Sequence, residues 1–148
     1  MTTYQFDFFE VGKLYISPSR TISESDIMLF AGLTGDLNEL HTSETFAAET
    51  NFGKRIAHGM LTLAMANGLY TRCASFDSVF LGIENWNASK PVFIGDTIKL
   101  HLTIADKRRT KAGNRAILDM KYEVVNQAGD VVAEGLFRRM VNVFPEEA

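Results

Sequence analysis

The stretch Thr34-Gly35-Asp36-Leu37-Asn38-Glu39-Leu40-His41 brings a carboxylate, an amide and an imidazole close together along the chain. A carboxylate and an imidazole that share a water can take a proton from it and return one. On one continuous helix Asp36 and His41 would point about 140° apart, since each residue turns the chain by about 100°. They meet only if the chain loops between them, and Gly35 and Asn38 are residue types that build such loops. Read by spacing alone, a plainer outcome stands ahead: a capped helix end followed by a solvated loop histidine.

A second feature lies downstream. Ala57-His58-Gly59-Met60 opens an apolar stretch that reaches about Arg72. The first turn of a helix carries free N–H groups and the positive end of the helix dipole. Glycine lets a ligand approach that backbone closely. Such a terminus suits the carbonyl oxygen of a thioester as it becomes an enolate. Gly59 is equally suited to a tight entry into a core with no ligand present.

Two textures of sequence must position these groups. Leu14 to Ile22 reads as a strand. Ser23 and Asp26 then have the spacing of a helix capping box, and a short helix should carry Ile27, Phe30 and Ala31 before it stops in the turn-rich segment from Gly32 to Asn38. Another short helix is expected to start at Ser43, with Phe46 and Ala47 facing inward. The helix from His58-Gly59 to about Arg72 is apolar around most of its circumference, which marks it as buried. Gly68 inside it costs helix propensity and suggests close packing at that point. From Val79 onward the pattern changes to period two. Val79 to Trp86 supplies one strand. Ile98, Leu100, Leu102 and Ile104 alternate with polar residues in the next, and Ala116, Leu118, Met120, Tyr122 and Val124 in the one after. Turns at Lys111–Asn114 and Asn126–Asp130 separate these from a last strand, Val131 to about Val143. The order implies an α+β domain, an antiparallel curved sheet wrapped around one long buried helix. Its open sheet edge favours pairing with a second copy.

The segment from Phe30 to His41, with Phe46-Ala47 following, resembles the signature of the MaoC-like dehydratases and (R)-specific enoyl-CoA hydratases. His58-Gly59-Met60-Leu61 is similar to that family's second motif, and Pro91 to Thr97 to its third. The resemblance runs from about Leu14 to Val143, and it implies a hot-dog fold. It implies that Asp36 and His41 form the dyad that orients and activates water, that Asn38 holds the dyad or the water, and that the Gly59 N–H receives the thioester carbonyl. Water would add at C3 of a trans-2-enoyl thioester, with protonation at C2 giving an (R)-3-hydroxyacyl thioester; the reverse is a dehydration. No metal or separate cofactor is implied, since coenzyme A is part of the substrate. His58 would shape the turn. Two positions depart from the pattern. Glu39 stands where the family usually has proline, which would stiffen the loop, so Glu39 either resets the dyad or meets a polar substrate. Asn67 stands where some relatives carry serine, and as a polar residue it is a candidate anchor for the dyad. A hot-dog thioesterase is the enzymatic alternative, but it usually carries its acid on the buried helix, and Met60 to Tyr70 contains no Asp or Glu. A non-catalytic thioester-binding subunit is the other alternative, and it has no need of the intact Asp36, Asn38 and His41 set.

The totals bound the answer. A length of 148 residues suits one domain, taken here as residues 1–148, and a 46% hydrophobic fraction supplies a core. A net charge of -3 argues against a nucleic-acid partner. Cys73 is the one cysteine; it reads as a packed thiol, and a chain without a disulfide fits a reducing, cytoplasmic setting. The N-terminal residues do not have the pattern of a secretory signal, and no apolar run is long enough to span a bilayer. Lys54 and Arg55, just before the buried helix, are candidates for the phosphates of coenzyme A or plain surface charges. Lys107 to Lys111 reads by default as a solvated basic turn. His101 reads as an exposed or interface histidine, and Trp86, Phe80 and Phe93 as core or interface aromatics.

Overall fold

The computed structural model describes residues 1–74 and 76–146. Its strands are β1 (Thr3–Tyr4), β2 (Leu14–Ile16), β3 (Arg20–Thr21), β4 (Val79–Ala88), β5 (Thr97–Arg109), β6 (Arg115–Val125) and β7 (Val131–Val143). Its helices are α1 (Glu24–Thr34), α2 (Glu39–Thr42), α3 (Glu44–Ala48) and α4 (Gly59–Tyr70). The strands form one sheet in the order β1-β7-β6-β5-β2, with β3 also on β5 and β4 on β7. β5, β6 and β7 are a continuous antiparallel meander.

The period-two pattern of the sequence maps onto this sheet directly. Ile98, Leu100, Leu102 and Ile104 on β5, Leu118, Met120 and Tyr122 on β6, and Phe137 and Val141 on β7 have no exposed surface. They form a core with Leu61, Met65, Ala66 and Leu69 of α4. The rings of Tyr122 and Phe137 stack across β6 and β7 with centroids 3.9 Å apart. Trp86 meets Phe137 edge-on, so it joins the core, whereas Phe80 on β4 is exposed.

Three details differ from the sequence reading. The strand expected over Leu14 to Ile22 is two short strands, because the chain turns through Pro18, whose missing N–H cannot serve a ladder. Helix α1 does not stop at Gly32. It continues to Thr34 and ends where Gly35 adopts a left-handed conformation, φ 76°. Helix α4 is not buried all round: Met60, Ala64 and Gly68 form an exposed stripe along it. A Cβ placed on Gly68 would meet nothing within 4 Å, so no close packing occurs there within the chain. Among the described residues no helix is long and apolar enough to cross a membrane.

Candidate active site

The dyad is built by a chain of local hydrogen bonds. The capping box starts α1 as its spacing predicts: Ser23 Oγ accepts from the Asp26 N–H, and Asp26 accepts from the Ser23 N–H. At the other end, the Gly35 N–H donates to the Ala31 carbonyl. The Thr34 hydroxyl donates to the Phe30 carbonyl and accepts from the Asp36 N–H. Asp36 Oδ1 then accepts from the Asn38 N–H at 3.3 Å. Asn38 Oδ1 accepts from the Leu40 N–H at 2.9 Å and caps α2, a single turn that carries His41 round to Asp36. The loop that the residue types required is present, with α2 folded into it.

His41 is fixed from the opposite side. Its Nδ1–H donates to the Ile56 carbonyl at 2.8 Å, which leaves Nε2 as the ring's free proton acceptor. Ile56 is itself held, because it bridges to Phe93 and because the neighbouring Ala57 N–H donates to the Val92 carbonyl. The turn after Val92 is closed by Asp96, whose Oδ2 accepts from the Phe93 N–H at 2.8 Å. The segment Pro91 to Thr97 therefore serves the site by orienting the carbonyl that sets the tautomer of His41.

His58 lies beneath both. It is 2% exposed. Its Nε2–H donates to the Asp36 backbone carbonyl at 3.0 Å. Its ring lies 3.9 Å from that of His41 and 4.9 Å from that of Phe30, centroid to centroid. Its Nδ1 is buried without a partner. This agrees with a residue that shapes the turn. A carboxylate oxygen of Asp36 and one ring nitrogen each of His41 and His58 lie within 4.8 Å of one another, close enough to hold a metal ion. One nitrogen on each ring is already committed to a backbone carbonyl.

His41 and Gly59 line one cleft of about 290 Å³. Gly59 is the first residue of α4, where His58 supplies no side-chain cap, so the first N–H groups of the helix stay free for a ligand. A Cβ on Gly59 would come within 3.7 Å of Ala88 Cβ, so the gap above this turn is narrow. Thr62, a buried residue that the sequence reading passed over, lines the same cleft. Its hydroxyl reaches back to the His58 carbonyl; its place one turn beyond His58 was the available signal.

The remaining candidates divide. Glu39 occupies the first position of α2, where a proline and an acid are both favourable, the acid through the helix dipole. The loop keeps its form without proline because Asn38 caps it. Lys54 is exposed and its ammonium sits 4.3 Å from the centroid of the Phe93 ring, free of any acid partner among the described residues. Arg55 is not available for a phosphate: it is paired with Glu24 of α1 and Glu44 of α3, and its side chain is only 12% exposed. These contacts hold its guanidinium even more firmly protonated than usual, the hydrogen bond to Glu44 first. Asn67 does not anchor the dyad either, for its Oδ1 accepts from Arg139. Nor is Lys107 to Lys111 merely a solvated turn. Lys107 meets Phe6 and Asp7, Arg108 meets Asp106 and Asp119, and Arg109 meets Gly113, Phe144 and Glu146. Cys73 is half-buried, and burial pushes its thiol up, as expected of an unreactive packed thiol.

A curved antiparallel sheet around one helix defines the hot-dog fold, and here an acid and a histidine come together near that helix's N-terminus. The chain belongs to the MaoC family: the model of the MaoC like domain matches residues 10–126. It is 37% identical to a 3-hydroxybutyryl-CoA dehydratase of Methylorubrum extorquens over 125 residues, which are 77% of this chain and 78% of that protein. It is 42% identical to an (R)-specific enoyl-CoA hydratase of Rhodospirillum rubrum over 89 residues, 60% of this chain and 61% of the relative. In structure it is similar to a protein of Archaeoglobus fulgidus described as a monoamine oxidase regulatory protein, with TM-score 0.87, 34% identity and 97% of each chain covered.

Proposed function

We propose that this protein adds water to a trans-2-enoyl-CoA to give an (R)-3-hydroxyacyl-CoA, or runs the same reaction as a dehydration. The observation that carries the reading is the convergence of the Asp36 carboxylate and the tautomer-fixed His41 imidazole beside the free N-terminus of α4. A water held between Asp36 and His41 gives up a proton as its oxygen bonds to C3. The C2–C3 π electrons shift toward the thioester, and the carbonyl oxygen gains charge where the Gly59 N–H can donate to it. C2 then takes a proton, so that the elements of one water are added. Asn38 acts by capping α2 and bonding Asp36, which holds the loop rather than the water. The dyad performs proton transfer with its own groups, and the proposal includes no metal.

The names of the relatives support the reaction class, and the acyl group stays open. Lys54 is the charge we assign to the phosphates of coenzyme A. The exposed stripe of α4, together with exposed Leu29 and Leu33 on α1 and the edge strand β4, supports a homodimer. The thioesterase alternative has no supporting observation, since the wall of the cleft along α4 offers only Gly59 and Thr62. The test is loss of enoyl-thioester absorbance over a panel of trans-2-enoyl-CoA substrates, with chiral analysis of the product. Turnover to the (R) product supports the proposal. Release of free coenzyme A instead, or binding without turnover on every member of the panel, refutes it.

A further inference from the structure

Arg139 lies on the helix-facing side of β7 and is 5% exposed. Its Nη1 donates to the Ser78 hydroxyl at 3.2 Å, and its Nη2 donates to Asn67 Oδ1. The guanidinium carbon sits 4.1 Å from the centroid of the Tyr70 ring. Its Nε is buried with no acceptor. Among the described residues it makes no ion pair within 4.0 Å. The contrast with its neighbour is sharp: Arg138, on the outer face of the same strand, pairs with both Asp119 and Glu84. An arginine keeps its charge in a protein, and a cation taken out of water and met only by neutral acceptors is poorly compensated.

A cleft of about 600 Å³ opens onto Arg139, Ser78 and Tyr70. The acid on its wall is Asp77, whose Oδ2 already accepts from the N–H and hydroxyl of Thr2. The Tyr70 hydroxyl lies 2.6 Å from the Ser78 hydroxyl, so two further hydrogen-bonding groups stand beside the guanidinium. We propose that this cleft binds a carboxylate, with Arg139 as the cation and the Ser78 hydroxyl, which accepts from Tyr70, as the neighbouring donor. A guanidinium fork matches the two oxygens of a carboxylate. Met1, whose α-ammonium acts on Asp77, also lines the cleft; two cations against one acid leave a net single positive charge, which suits a single negative charge better than a doubly charged phosphate.

The carboxylate has two sources of the same chemistry: a free small acid, or the far end of an acyl group that carries one. Gly59 and Asn67 are eight residues apart on α4, or about 12 Å, so an acyl group would need that reach. The second source rests on the proposed hydratase reading; the first does not. The experiment titrates wild-type protein with propionate, succinate and inorganic phosphate at constant ionic strength, reading thermal stabilisation and calorimetric heat. It then compares Arg139→Gln, and compares kcat/KM on enoyl-CoA substrates ending in a carboxylate or a methyl group. A free-acid source gives saturable carboxylate binding that weakens about tenfold or more in the variant. An acyl source shifts the carboxyl-to-methyl ratio of kcat/KM by a similar factor in the variant. Absence of saturable carboxylate binding in wild type, together with an unshifted ratio, overturns the proposal; so does phosphate binding that outcompetes carboxylate. If Arg139→Gln fails to fold, the wild-type titration and the wild-type preference for a carboxyl-ended over a methyl-ended substrate decide.

Discussion

Replacing His58 with leucine should cost activity while leaving stability nearly untouched. The substitution removes the hydrogen bond to the Asp36 carbonyl, about 1 kcal/mol, and the carbonyl can rehydrate because Asp36 is exposed. It removes the ring contacts with His41 and Phe30, about 0.5–1.5 kcal/mol. Against these losses it abolishes a buried nitrogen with no partner, which relieves about 1–3 kcal/mol. No helix cap is lost, since the His58 side chain makes none. The terms nearly cancel, so thermal unfolding should shift by no more than about 5 °C. Catalysis should respond differently. The tether that fixes the backbone of Asp36 is gone, and a displacement of about 1 Å in a reacting group costs on the order of a hundredfold. Thermal denaturation and kcat/KM on the best enoyl-CoA substrate, measured on the same preparation, check both halves. A variant that keeps kcat/KM within about twofold of wild type would refute the positioning role. One that unfolds would refute the energy balance.

Other substitutions test the surrounding structure. A Cβ at Gly135 would lie 2.9 Å from Trp86 Cε3 and 3.1 Å from Trp86 Cα, so Gly135→Ala should destabilise by about 1–3 kcal/mol in urea unfolding. The Asp119 carboxyl is held below the usual carboxylate range, chiefly by the hydrogen bond from Arg138, with Arg108 adding to it. A lowered value means that the folded state favours the charged form. The pair thus contributes stability above the unfolded carboxyl's value, near ~3.9, and loses it as pH falls through the folded value. Wild type should therefore be more stable than Asp119→Asn at neutral pH, and the gap should shrink as pH falls below about 3.9 and close only beneath the lowered folded value; a constant gap across the range would contradict this. Lys54→Ala should raise KM for coenzyme A thioesters and flatten its salt dependence, whereas Arg55→Ala should lower the unfolding temperature and leave that salt dependence in place. Kinetics at two ionic strengths, with a melting curve for each variant, separate the two.

The sheet and the central helix were legible because their signals are periodic and local. Apolar residues recur with period two along β5 and β6, interrupted by an irregularity after Ile104, and Ser23 with Asp26 announces the start of α1. The pairing of Asp36 with His41 was legible through the family resemblance, since Gly35 and Asn38 allow the loop that the pair needs and do not require it. Helix α2 was not, because a single turn has no periodicity; Asn38 was visible as a loop residue that holds the dyad or the water, and its capping of α2 was not. Side chains whose partners are distant in sequence were misjudged. Arg55 looks like a phosphate ligand until Glu24 and Glu44 fold against it. Asn67 looks like a dyad anchor until Arg139, on the last strand, reaches it. Backbone groups left no trace at all: nothing in the residue types says that the Ile56 carbonyl sets the tautomer of His41.

The central claim is that Asp36 and His41 carry out the hydration together. Its most direct test is the initial rate of trans-2-enoyl-CoA hydration for wild type, Asp36→Asn and His41→Gln, each shown to be folded, with and without a metal chelator. The account predicts turnover by wild type that the chelator does not change, and a fall of about 10²-fold or more in each variant. A folded variant that retains most of the wild-type rate would contradict it, as would wild-type turnover that the chelator abolishes.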